Sequence, residues 1–189
     1  MGPIPTTRSK FMIIAGTGHR PDKLDGYELL ANLRLLGFAR FILDQVKPNK
    51  IISGMALGWD QAIAQAAILE KIPFVAAIPF SGQESVWSEE LQHNYKYLIK
   101  RAAEVVTVSN GDYAAYKMQL RNEWMVDNCD MVLALWNGFS YYVVLTRFHQ
   151  FHHDDYPIAG KWFNLLPLPI FRLGTVYYFI SSTAGIPTA

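Results

Sequence analysis

Cysteine is nearly absent from this chain of 189 residues: Cys129 stands alone. No intramolecular disulfide can form, and no cysteine-based zinc site exists. An excess of one charge is lacking too, with 17 basic residues against 16 acidic ones and a net charge of +1. That balance gives no general electrostatic reason to bind nucleic acid or an anionic membrane, although a local basic groove remains open. Long apolar runs are also missing. Leu165 to Ile180 comes nearest, but Pro167, Pro169, Arg172 and Gly174 interrupt it, and it is too short to read as a membrane span. Met1 to Lys10 has neither the apolar stretch nor the cleavage pattern of a secretory signal, so a reducing, cytoplasmic compartment is expected.

What the chain does have is apolar mass. Hydrophobic residues make up 51% of the sequence, enough for one well-cored domain at this length. Apolar runs at 11–15, 50–53, 73–79, 104–108 and 130–136 read as strands. Between them, 27–46, 59–71, 88–101 and 114–127 read as helices, the first with a stripe of Leu29, Leu30, Leu33, Leu36, Phe41 and Ile42. Strands that are near-continuous apolar runs, alternating with helices, predict an α/β fold. The expected architecture is a three-layer, doubly wound, mostly parallel sheet of Rossmann-like type over residues 10–138. Residues 1–9 read as a flexible N-terminus. After Gly138 the composition changes: 139–189 holds twelve aromatics but only three basic and two acidic residues, and reads as an atypical tail.

Ligands of such sheets sit beyond the carboxyl ends of the strands, which directs attention to the loops at 16–21, 53–60, 79–87 and 109–112. The first carries Gly16-Thr17-Gly18-His19-Arg20-Pro21. Glycine lets a ligand approach the main chain, and Arg20 offers a planar fork of donors for phosphate or carboxylate. The plainer alternative is a strand-to-helix turn with a surface Arg. The second, Ser53-Gly54-Met55-Ala56-Leu57-Gly58-Trp59-Asp60, opens a helix whose free N–H groups and dipole favour an anion. Asp60 fits there either as a helix cap or as an acceptor for ribose hydroxyls. Arg121 and Asn122, late in the helix before the fifth strand, either reach the same edge or lie on a solvated face.

These three pieces together resemble the YpsA-like branch of the SMF/DprA–LOG (SLOG) superfamily, over about residues 10–138. The resemblance implies a Rossmann-like fold that binds a nucleotide or nucleotide-derived ligand, as a sensor or effector component. By that resemblance the ligand contacts fall on Gly16, Gly18, His19, Arg20, Ser53, Gly54, Gly58 and Asp60, with Arg121 and Asn122 from the third motif. LOG enzymes cleave a ribosyl bond with a PGGxGT motif, and nothing here matches it. Catalysis is therefore not the leading expectation, and a LOG-like N-glycoside or phosphoribosyl hydrolase stands as the alternative. Single-stranded DNA binding, as in the DprA branch, is a second alternative, with Lys96, Lys100 and Arg101 as its candidate patch.

Where the family would place a second Gly-rich turn, this chain continues Phe139-Ser140-Tyr141-Tyr142. That departure makes the tail a native, diverged or frame-shifted ending. His149, His152, His153, Asp154 and Asp155 read as a polar turn rather than a preorganised metal site, so neither a metal nor a resident cofactor is expected. Cys129 reads as an inert buried thiol. Association into a homo-oligomer is compatible with such a sheet, and no interface is legible.

Overall fold

The computed structural model describes residues 11–24 and 26–135. Within them the chain alternates β1 (Ile13–Gly18), α1 (Leu29–Val46), β2 (Lys50–Ser53), α2 (Trp59–Leu69), β3 (Phe74–Ile78), α3 (Glu89–Ile99), β4 (Glu104–Thr107), α4 (Ala115–Asp127) and β5 (Met131–Leu135), with a short 3-10 turn at Pro21–Lys23. The strands form one five-stranded sheet in the order β4-β3-β2-β1-β5, and every pairing is parallel. The Rossmann-like α/β expectation is therefore met. The tail 139–189, the segment 1–9, Trp136 and the histidine cluster at 149–155 lie outside the described residues. Among the described residues, no helix is long and apolar enough to cross a membrane.

The period-two alternation of the strands divides the core in two. Ile14, Ile51, Phe74, Ala76, Ile78, Leu133 and Leu135 face the layer made by α1, α2 and α3. Ala15, Ile52, Val75 and Ala77 face the other way, against Met125 of α4 and Cys129. This layering follows from right-handed crossovers. The chain steps outward from β1 to β4 with its helices on one side. It then returns across the opposite face through α4 to place β5 beside β1.

Two expectations need correcting. The first strand does not stop at Ala15. Gly16 and Gly18 are ladder residues, opposite Leu133 and Leu135 of β5, so the turn begins at His19. The apolar stripe on α1 also points the wrong way in part. Leu29, Leu30, Leu33 and Phe41 are exposed, and the helix buries Ala31, Leu35, Ala39, Ile42 and Leu43 instead. Leucine is frequent on both faces of this helix, so hydropathy alone misplaces the buried side; small residues mark the true contact, where α1 packs on the alanine-rich α2.

That assignment predicts a contrast in chemical denaturation. Leu35→Ala should cost about 2–5 kcal/mol, the usual range for a truncated core leucine. Leu33→Ala should stay within about 0.5 kcal/mol of the parent. Equal losses at both positions would contradict the packing of α1.

Candidate functional site

The loops after β1 and β2 meet at the N-terminus of α2, and their fit is tight because glycines let it be. A Cβ on Gly18 would come within 2.8 Å of Trp59 and 2.9 Å of the Leu135 carbonyl oxygen. On Gly58, which caps α2 at φ +94°, it would meet the His19 carbonyl oxygen at 2.8 Å. Gly16 is buried within the sheet against Ile63. The space that these glycines leave is thus taken by the protein's own atoms, and the two loops are locked to each other.

Asp60 lies in the first turn of α2 but does not cap it; the cap position belongs to Gly58. The carboxyl group is instead turned inward, at 3% exposure for the residue, and accepts hydrogen bonds from the backbone N–H groups of Ala56 and Gly18. One side chain thereby ties both loops together. Ser53, fully buried at the end of β2, braces the β2–α2 loop from within. Its hydroxyl donates to the Asp60 carbonyl oxygen at 2.6 Å and accepts from the Met55 N–H at 3.1 Å.

Arg121 arrives from α4, across the sheet. Its guanidinium donates to the Gly54 carbonyl oxygen, lies 3.8 Å from the Asp60 carboxylate, and donates through Nε to Asn122 Oδ1 at 2.9 Å. A Cβ on Gly54 would fall onto this guanidinium and within 2.7 Å of Asp60 Oδ2. Arg121 is 6% exposed, so the reading of a solvated helical face does not hold for it. Arg20, by contrast, is exposed at the mouth, and its charge acts on both Asp60 and Arg121. Arg121 is thus the guanidinium paired with the carboxylate, and Arg20 acts on the pair by its charge from the exposed rim. Loss of solvent pushes the Asp60 carboxyl up to about 6, against the help of Arg121, the backbone donors and Arg20. Loss of solvent likewise lowers the Arg121 pKa, and Arg20 adds to this by repulsion.

The structure also shows a polar network that sequence reading missed. Met55, buried with φ +59°, presents its carbonyl oxygen to the side-chain amides of Gln61 and Gln83, both at 3.3 Å. Asn94 donates to Gln61 Oε1 at 3.0 Å. Tyr95, buried against Trp87 in an edge-to-face contact at 5.5 Å, has its hydroxyl beside Gln83 and its pKa raised chiefly by burial. Gln and Asn carry no motif by themselves, and only the fold brings these three amides to one strand end. His19 contributes its backbone N–H to the Leu135 carbonyl oxygen at 3.1 Å. The Cys129 thiol is buried, and burial pushes its pKa up to about 11, which keeps it protonated at neutral pH. Among the described residues, no group of three or more His, Cys, Asp or Glu side chains could hold a metal ion.

A protein-family model, YpsA (YspA SLOG family), matches residues 39–158. The chain belongs to that family. The matched range begins within α1 and runs past Gly138. Among curated relatives, the YspA SLOG chain is similar to the uncharacterized SPbeta prophage-derived protein YoqJ of Bacillus subtilis (strain 168). The two are 31% identical over 121 residues, covering 56% of this chain and 71% of YoqJ. Among solved structures it is similar to DNA processing protein A (DprA) of Streptococcus pneumoniae, at 19% identity and a TM-score of 0.46. That match covers 66% of this chain and 41% of DprA, so the chain spans less than half the length of that protein.

The shifted Asp60 makes stability depend on pH in a defined direction. Between the ordinary carboxyl value of 3.8 and about 6, the folded state holds a proton that the unfolded state releases. The contribution of Asp60 is therefore greatest at acid pH and is lost as pH rises through about 6. Asp60→Asn should remove this component from the pH profile of the denaturation midpoint. A variant profile parallel to that of the parent between pH 4 and 6 would contradict the burial of the carboxylate.

Proposed function

We propose that this protein binds a nucleotide or nucleotide-derived small molecule by its phosphate, at the loops following β1 and β2, as a sensor or effector component. The observation that carries this reading is the placing of two guanidinium groups, Arg121 paired with Asp60 and Arg20 exposed beside them, against a single carboxylate at the N-terminus of α2. The cluster holds an excess positive charge, and the first-turn amides of α2 add the positive end of a helix dipole. Membership of the YspA SLOG family supports a nucleotide-related ligand.

Roles divide by exposure. Arg20 is the exposed donor, able to take two phosphate oxygens at once. Arg121, Asn122, Asp60, Ser53 and the glycines shape the floor and keep the loops in register. Because Asp60 already shares the cluster, an incoming phosphate adds a second negative charge beside it and raises its pKa further. Binding is thus coupled to proton uptake in the range where Asp60 is still ionised.

Thermal shift on the full chain, against nucleoside mono- and diphosphates, tests the reading. A ligand at about a hundred times its dissociation constant should add roughly 2.7 kcal/mol, or about 5–10 °C for a protein of this size. Arg20→Ala should abolish the shift and leave the ligand-free melt unchanged, since Arg20 is exposed. A full shift retained in Arg20→Ala would move the phosphate site elsewhere. Titration calorimetry at pH 7 in buffers of different ionisation enthalpy should show net proton uptake on binding. A binding enthalpy independent of buffer would remove Asp60 from contact with the ligand's charge.

The DNA-binding alternative has less to stand on at its candidate patch. The Arg101 guanidinium lies 3.7 Å from the centroid of the Tyr97 ring, so that aromatic face is already covered by its own neighbour.

A further inference from the structure

The loop between β4 and α4 holds an arrangement that phosphate binding alone does not use. Lys117, in the first turn of α4, is 5% exposed, yet its ammonium pairs with no carboxylate among the described residues. It donates instead to two carbonyl oxygens of the loop, Asn110 at 2.6 Å and Asp112 at 2.5 Å, and sits 5.8 Å from the centroid of the Phe80 ring. A buried lysine is costly, and here it closes the 110–112 loop around its own charge. The next residue, Tyr113, is held edge-to-face against Phe80 with ring centroids 5.8 Å apart. It nevertheless remains 70% exposed. Ser109, in the same loop, has a buried hydroxyl with no hydrogen-bond partner among the described residues, so polar capacity is left over as well.

An aromatic ring fixed from behind and bare in front is what stacking requires: the entropy of ordering is spent before the ligand arrives. Its position suits the phosphate site. Lys117 and Arg121 are four residues apart on α4, about one helical turn. Phe80 shares its loop with Gln83, which bonds the Met55 carbonyl oxygen beside Gly54. Arg121 and Phe80 thus stand at the neighbouring ends of β2 and β3, with Arg20 after β1 and Tyr113 after β4 one strand further out on either side.

We infer that Tyr113 is the base-stacking platform of the ligand site, so that the ligand is a mononucleotide lying across the strand ends, its phosphate at Arg20 and its base over the β4–α4 loop. This rests on the phosphate reading above. Lys117 is a positioning residue for the platform, not a ligand contact.

Calorimetric titration of the full chain with nucleoside monophosphates and with ribose 5-phosphate separates the two ideas, since the sugar phosphate lacks only the base. At least one nucleotide should bind about tenfold more tightly than ribose 5-phosphate, the usual worth of one stacked base. Tyr113→Ala should erase that advantage while leaving ribose 5-phosphate affinity unchanged, and Tyr113→Phe should retain it. Lys117→Met should weaken nucleotide binding and leave ribose 5-phosphate binding intact in any preparation that still melts cooperatively. Equal binding of nucleotide and sugar phosphate by the parent, or a nucleotide advantage that survives Tyr113→Ala, would overturn the platform and leave the phosphate site standing. Failure of both ligands to bind would overturn both. Tyr113-dependent binding of an oligodeoxythymidine, with no response to mononucleotides, would overturn the assignment of a mononucleotide.

Discussion

Arg121 is buried where three separate stretches of chain meet, and their arrangement depends on it. Its guanidinium is supplied by α4, accepted by the Gly54 carbonyl after β2, and balanced by Asp60 at the start of α2. Asp60 in turn holds the N–H of Gly18 at the end of β1. Remove the cation, and a carboxylate with almost no access to water is left without its partner, a situation that costs several kcal/mol in proteins generally. The geometry also explains why glycine stands at position 54: a side chain there would occupy the space of the guanidinium. The pair is an expensive way to hold a fold together, since two leucine-like residues would pack as well. On the proposed reading, its value lies in leaving charge at a place where a phosphate can use it.

The position of this cluster is unusual for a doubly wound sheet, where ligands favour the point at which strand order reverses. Here the reversal falls between β1 and β5. On the α1–α3 side that place is filled by Trp59, whose indole N–H donates to the Leu133 carbonyl oxygen at 3.3 Å and whose ring packs against Phe38. The charged groups gather one strand over, at the ends of β1 and β2. The switch point serves as a packing joint, and the candidate binding edge extends from it toward β3 and β4.

Much of this was legible in the amino-acid order. Most strands are short apolar runs closed by Gly, Pro or Ser, the pattern of strands buried in a parallel sheet, although β4 at the sheet edge is largely exposed. The glycines were visible as special positions, but their use was not: Gly16 and Gly18 are ladder residues, and the space they leave is filled by Ile63 and Trp59. Three other things were not visible, for physical reasons. The inward face of α1 was hidden because leucines occupy both sides of the helix. The burial of Arg121 depends on a crossover that brings α4 over β2, a contact spanning 67 residues, and no local pattern encodes that. The amide network of Gln61, Gln83 and Asn94 is assembled from three elements and has no periodic signature.

Among the described residues, α4 is the helix that covers the second face of the sheet, and its buried contacts there come from a small set of side chains around Met125. A helix held by so little apolar area is a candidate for local opening at a free-energy cost well below that of global unfolding. Yet it carries Arg121 and Lys117, one contributing to the charged floor and the other bracing the aromatic loop. On the proposed reading, a ligand that contacts Arg121 favours the docked position of the helix by mass action. A ligand would be felt on the far face of the sheet as slower exchange of the α4 amides, so that the surface of α4 reports whether the opposite edge is filled.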